Sequence, residues 1–148
     1  MQINLYTIQK IEDQAEVKEL TKMISRWAKI SEINKFNAKI SKAQKLGTEL
    51  SLRAYDEAYL PCVSGFCICL DERGQEMSSA EFAKLLDGKS CVNFFIGGAY
   101  GLSSELKSKM DFTISLSKMT FTHKIAKLML YEQIFRGLSI NNNHPYNK

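Results

Sequence analysis

Two short, dense apolar runs constrain this chain more than any other feature. Phe66-Cys67-Ile68-Cys69-Leu70 follows the turn residues Ser64-Gly65, and Cys91 to Ile96 ends at Gly97-Gly98. A strand with one wet face alternates apolar and polar side chains. A run that is apolar at nearly every position belongs to a strand covered on both faces, as in a parallel sheet flanked by helices. Phe112 to Leu116 reads as a third strand of this kind, and Ile3, Leu5 and Ile8, with Tyr6 between them, as an earlier one. Ile33 to Ala38 is expected as a short second strand. Between the strands the spacing becomes helical: Val17, Leu20, Met23 or Ile24, and Trp27 predict a helix over about Asp13 to Ile30. Leu46, Leu50 and Ala54 predict another over about Ser41 to Ala58. Asp71-Glu72-Arg73-Gly74 reads as a polar loop, followed by a helix capped near Ser78 or Ser79, with Glu81 as capping-box partner to Ser78. A last helix is expected from Phe121 to about Leu138, with a polar tail from Asn141 to Lys148. Strands alternating with helices define an α/β fold with a mainly parallel sheet. At 148 residues the chain fits a single domain.

No window approaches the run of about 18 apolar residues of a membrane span, and Met1-Gln2-Ile3-Asn4-Leu5-Tyr6 lacks the pattern of a signal peptide. A cytoplasmic address is the expectation. Cys62, Cys67, Cys69 and Cys91 form no Cys-x-x-Cys pair and His123 and His144 lie far downstream, so no metal site is expected; the thiols read as reduced and partly buried. Trp27, Phe94, Phe95, Phe112 and Phe135 read as core. The net charge is +4, and residues 101–148 carry seven basic groups against three acidic ones. That excess suits an RNA partner without establishing one.

In open α/β sheets, ligands bind outside the carboxyl ends of the strands. Three such ends stand out: Leu70-Asp71-Glu72, Ile96-Gly97-Gly98-Ala99-Tyr100-Gly101, and Leu116-Ser117-Lys118-Met119-Thr120-Phe121. The glycines permit a tight turn and close approach of a ligand. The third segment suits the wall of a pocket for an adenine and its ribose. The spacing fits neither a P-loop nor a dinucleotide fingerprint.

Phe95-Ile96-Gly97-Gly98-Ala99-Tyr100-Gly101-Leu102 resembles the glycine loop of the 23S rRNA pseudouridine N3-methyltransferases, a family of the SPOUT superfamily. Ile114-Ser115-Leu116-Ser117-Lys118-Met119-Thr120-Phe121-Thr122-His123 resembles the family's next motif at the expected distance. Tyr131-Glu132-Gln133-Ile134-Phe135-Arg136, followed by His144-Pro145-Tyr146-Asn147-Lys148, completes the pattern. The resemblance runs from about Phe66 to the C-terminus, and residues 1–60 match in layout. Thr122 stands where many members have proline, and Asn147 where a second histidine is frequent.

The resemblance implies one SPOUT domain over residues 1–148, with a deep trefoil knot within about 66–148, and a homodimer whose sites are completed by the neighbouring subunit. It implies S-adenosyl-L-methionine as cofactor, held by Leu70, Gly97, Leu116, Ser117, Lys118, Met119, Thr120 and Phe121. The implied reaction is methylation of N3 of a pseudouridine in 23S rRNA within the assembled ribosome, with no part for DNA or a membrane. His123, His144 and Tyr146 are the candidates for proton handling or base positioning. Lys118, Lys124, Lys127 and Arg136 are the candidates for RNA contact. Arg136 also follows Glu132 by four residues, which an ordinary helical ion pair explains equally well. Two other readings remain open on sequence: an rRNA-binding module of this fold without catalysis, and a different small nucleotide-binding α/β enzyme such as a phosphotransferase.

Overall fold

A computed structural model describes residues 1–147; Lys148, the end of the expected tail, lies outside the described residues. Five strands, β1 (Gln2–Thr7), β2 (Lys29–Asn34), β3 (Cys67–Glu76), β4 (Cys91–Ile96) and β5 (Phe112–Ser115), form one sheet in the order β2-β1-β4-β3-β5. Every pairing is parallel, as the dense apolar runs predict. Among the described residues six α-helices cover the two faces: α1 (Ala15–Ile24), α2 (Ala38–Leu46), α3 (Thr48–Tyr59), α4 (Ser79–Leu86), α5 (Ser104–Ser108) and α6 (His123–Asn141).

The period-two alternation of strand side chains sorts the core into two clusters. Ile3, Leu5, Ile68, Val92, Phe94 and Ile96 point to one face, where Val17, Ile24, Phe82, Leu86, Leu130 and Leu138 of α1, α4 and α6 meet them. Cys67, Cys69 and Phe95 point to the other, against Ile40, Ala54, Tyr55, Tyr59 and Leu106 of α2, α3 and α5. Both cysteines are free and buried there, and burial raises their pKa values, so these thiols behave as packing groups. Phe94, Phe95 and Phe135 are buried as expected, while Trp27 and Phe112 are half-buried at the margin.

Several boundaries differ from the sequence reading. The first helix ends at Ile24, not Ile30, because the backbone N–H groups of Trp27 and Ala28 turn back onto the Ile24 carbonyl. Ile30 and Ile33 are then free to pair beside β1, so the second strand begins at Lys29 rather than Ile33. The helix expected over Ser41 to Ala58 is two helices, divided at Gly47, whose φ of 124° no L-residue adopts readily. Asp71-Glu72-Arg73-Gly74 is not a loop but an irregular middle of β3. The strand pairs with β5 up to Leu70, shifts register, and rejoins it at Gln75. Sequence reading missed α5, whose five residues are too few to show periodicity.

Helix ends follow the capping rules. Ser78 and Glu81 form the reciprocal capping box that opens α4. Thr122 caps α6, which therefore begins at His123 rather than Phe121. At its far end Asn143, with φ 54°, lets the His144 N–H reach the Ser139 carbonyl and the Asn143 N–H reach that of Ile140. That is a Schellman turn with asparagine in the glycine place. It carries α6 to Asn141, three residues beyond the expected end, and folds the tail back. Among the described residues, no helix is long and apolar enough to cross a membrane.

Candidate active site

The strand order contains a switch point. From β1 the chain leaves through α1 on one face, and from the adjacent β4 it leaves through α5 on the other. A crevice opens where such neighbours diverge, outside their carboxyl ends. Tyr59, buried between them, holds that end together: its hydroxyl lies 2.6 Å from the Ile96 carbonyl and 3.0 Å from that of Tyr6. It carries one proton for two acceptors, and desolvation keeps it un-ionised, with a pKa well above that of a free phenol.

The crevice is a cleft of about 650 Å³, within the range of about 300–1,000 Å³ usual for small-molecule sites. All three strand ends named from sequence converge on it. Leu70, Gly97, Leu116, Ser117, Met119, Thr120 and Phe121 form its wall; Lys118 is exposed on the same turn, outside that wall. Leu70, Ile96 and Leu116 supply apolar surface suited to a flat base. Glu72 supplies negative charge, while that of Asp71 is matched by Lys107 in the same cleft. Burial pushes the Asp71 carboxyl up, but the Arg73 backbone N–H and the Lys107 ammonium at 2.9 Å outweigh it, and its pKa falls below the ordinary value. Glu72 accepts the Thr120 hydroxyl and so ties the β3 irregularity to the loop after β5. The segment that the sequence reading made a loop is thus part of the wall. Gln9 and Lys107 also reach the cleft; neither belongs to a recognisable motif, and only the fold brings them there.

Gly97 is required by close approach. A Cβ on it would lie 2.9 Å from the Gly101 carbonyl carbon and oxygen. A side chain at this position therefore opposes the tight turn of the loop as well as taking ligand space. The first collision is with the loop's own backbone. The Gly97 carbonyl in turn meets Nε2 of His123, the first residue of α6. A carbonyl only accepts, so Nε2 carries the proton and Nδ1 is left with the lone pair in the neutral ring. Burial lowers the His123 pKa, more than the bond to Gly97 raises it.

The remaining candidates are scattered. His144 packs edge-on against Trp27, with ring centroids 5.3 Å apart, and Tyr146 against Phe135 at 4.6 Å. Arg136 stacks over Tyr146 at 4.8 Å and forms the helical ion pair with Glu132 at 2.7 Å. These groups lie at the C-terminal end of α6, and His123 lies at its start. The tail folds back, so the Tyr146 hydroxyl meets Glu132 and its ring meets Phe135, which puts it about 14–18 Å from His123 along the axis of α6. Lys124 is exposed and lies 4.0 Å from Glu12. Lys127 is buried, and its ammonium is taken by Glu32 at 3.2 Å. Among the described residues, no group of three or more metal-ligating side chains gathers.

A parallel sheet with its crevice at the β1/β4 divergence and three loops wrapped around one cleft defines the class. A family model described as "Predicted SPOUT methyltransferase" matches residues 1–147. Relatives narrow it. Proteins named "Ribosomal RNA large subunit methyltransferase H" from Campylobacter fetus and Campylobacter concisus are 58% and 53% identical, each aligned over the whole of both chains. A protein of the same name from Campylobacter jejuni is 47% identical, again over the whole of both chains. The chain belongs to this methyltransferase family within the SPOUT class. A solved structure described as a probable methylase family protein from Haemophilus influenzae is similar in fold, with a TM-score of 0.56 at 15% identity. That alignment covers 96% of this chain and 66% of the other.

Proposed function

We infer that the chain is an S-adenosylmethionine-dependent methyltransferase that modifies N3 of a pseudouridine in 23S rRNA. Full-length similarity to proteins named for large-subunit rRNA methylation supports the reaction. The convergence of Leu70, Gly97 and the 116–121 loop on one cleft is the observation that supports these residues as its cofactor site. When bound, S-adenosylmethionine supplies a methyl group on a positively charged sulfur. Leu70, Ile96 and Leu116 suit its adenine, and Glu72 its positive charge. The chain must position the uracil ring and take the N3 proton. His123 is the group at the cleft for the proton, through the Nδ1 lone pair left free by the bond to Gly97.

In this reading the connection around β5 and α6 forms the trefoil knot, and the protein acts as a homodimer on the assembled ribosome. The separation along α6 supports the dimer: His144 and Tyr146 are too far from their own cleft to act there, and an antiparallel pairing of α6 helices carries one tail to the other cleft. Ile125 is 47% exposed on this helix, an apolar position the monomer leaves uncovered. Calorimetry tests the site. Titration with S-adenosylmethionine should give saturable binding, and ATP none; ATP binding without S-adenosylmethionine binding would instead support a phosphotransferase.

A further inference from the structure

A second cavity of about 670 Å³ opens beside the cofactor cleft, outside the carboxyl ends of β1 and β2. Gln14, Glu32, Asn34 and Lys127 line it, and it shares Gln9, Thr122 and His123 with the cleft. Two features of its wall suit a ligand that donates hydrogen bonds. Glu32 is fixed in the second half of β2: Lys127 Nζ lies 3.2 and 3.4 Å from its two oxygens, and the Thr7 hydroxyl donates to it at 3.4 Å. Its side chain stays 27% exposed while that of Lys127 is 10% exposed, so the carboxylate rather than the ammonium is open to a ligand. Gln14, only 6% exposed, donates Nε2 to the Lys124 carbonyl at 3.1 Å, which fixes the orientation of its amide. Its Oε1 is buried with no hydrogen-bond partner among the described residues, a costly arrangement for an acceptor.

Resting on the function proposed above, the chemistry of the target base matches this wall. Pseudouridine is joined to its ribose through C5, so the edge that enters a pocket first carries N1–H, C2=O and N3–H. Uridine, joined through N1, presents C5–H, C4=O and N3–H on the same edge. The two differ in hydrogen bonding at one place, N1–H against C5–H. His123 and Glu32 line the same cavity, so a base with N3 at His123 has the Glu32 wall within reach of that place.

We propose that this cavity receives the target base and that Glu32 is the specificity residue that accepts the N1–H of pseudouridine, with Gln14 Oε1 as a further acceptor on the same wall. Lys127 is a positioning residue that holds the carboxylate. A site built to accept an N–H disfavours an analogue lacking it, because the acceptor is then stripped of solvent and gains no partner in return. Uridine is therefore the disfavoured substrate.

Single-turnover methylation of ribosomes carrying either pseudouridine or uridine at the target tests this. Wild type should prefer pseudouridine. Glu32→Leu combined with Lys127→Met, which leaves no buried charge unpaired, should lower that preference at least tenfold. Glu32→Gln should act in the same direction, because Lys127 draws the amide oxygen and turns the NH2 toward the N1–H; it also serves if the double variant does not fold. Gln14→Met should lower the preference by less. Circular dichroism and cofactor calorimetry identify folded, cofactor-binding variants. No preference in wild type, an unchanged preference in folded Glu32 variants, or an equal slowing on both substrates would overturn the assignment. Failure of wild type to methylate pseudouridine at all would overturn the functional reading instead.

Discussion

His123 is held by a bond that only one of its neutral forms can make. Nε2 must keep its proton to face the Gly97 carbonyl, and burial keeps the ring from gaining a second one. Its folded pKa lies below the ordinary 6.5. The unfolded chain thus binds a proton first as pH falls, and the stability associated with the buried neutral ring is complete above 6.5 and is lost as pH falls from there through the folded value. If Nδ1 takes the N3 proton, the acid limb of the rate profile belongs to this residue and its midpoint should lie below 6.5; a midpoint above that value would assign the limb elsewhere. Gly97 gives a second prediction at this scale. Because its Cβ would meet the Gly101 backbone, Gly97→Val should abolish calorimetric cofactor binding and also lower the melting temperature. An unchanged melting temperature would return the effect to ligand space alone. Both residues were visible in sequence as parts of motifs. Their contact was not, because 26 residues separate them and only the β4–β5 crossover closes the gap.

At the level of elements, legibility followed side-chain pattern. The strand Cys91–Ile96 and the capping box at Ser78 and Glu81 were read correctly because burial on both faces and cap chemistry are local. The boundary at Gly47 was missed because apolar spacing continues across it while the backbone turns. Nothing lies within 4 Å of a Cβ at Gly47, so Gly47→Ala isolates the backbone conformation. It should cost about 1–3 kcal/mol, seen as a lower urea midpoint with unchanged slope. Ser78→Ala should cost about 0.5–2 kcal/mol by the same assay, and a neutral result would mean that Glu81 alone supports the helix end. Asp71 to Gly74 was misread for an opposite reason. Polar residues ordinarily mark a loop, and here they mark a strand whose middle forms a wall of the cleft.

Across the whole molecule the sheet and its helices follow from sequence, whereas the separation of His123 from His144 and Tyr146 along α6 does not. His144 and Tyr146 pack against Trp27 and Phe135 of their own chain, an arrangement set by the Schellman turn after Asn141. With the tail acting on a partner's cleft, a chain truncated after Asn141 should remain a folded dimer and be inactive. Mixed with His123→Ala chains, it should regain activity, since one cleft of the heterodimer then holds both an intact His123 and a partner's tail. No recovery on mixing, or a monomeric mass by light scattering, would place the tail in its own subunit's reaction. Ribosomes lacking the modification, incubated with the wild-type chain and labelled S-adenosylmethionine, should acquire label in 23S rRNA, and mass spectrometry of the digested RNA should identify N3-methylpseudouridine. Label on any other base, or none, would show that the chain does not carry out this reaction.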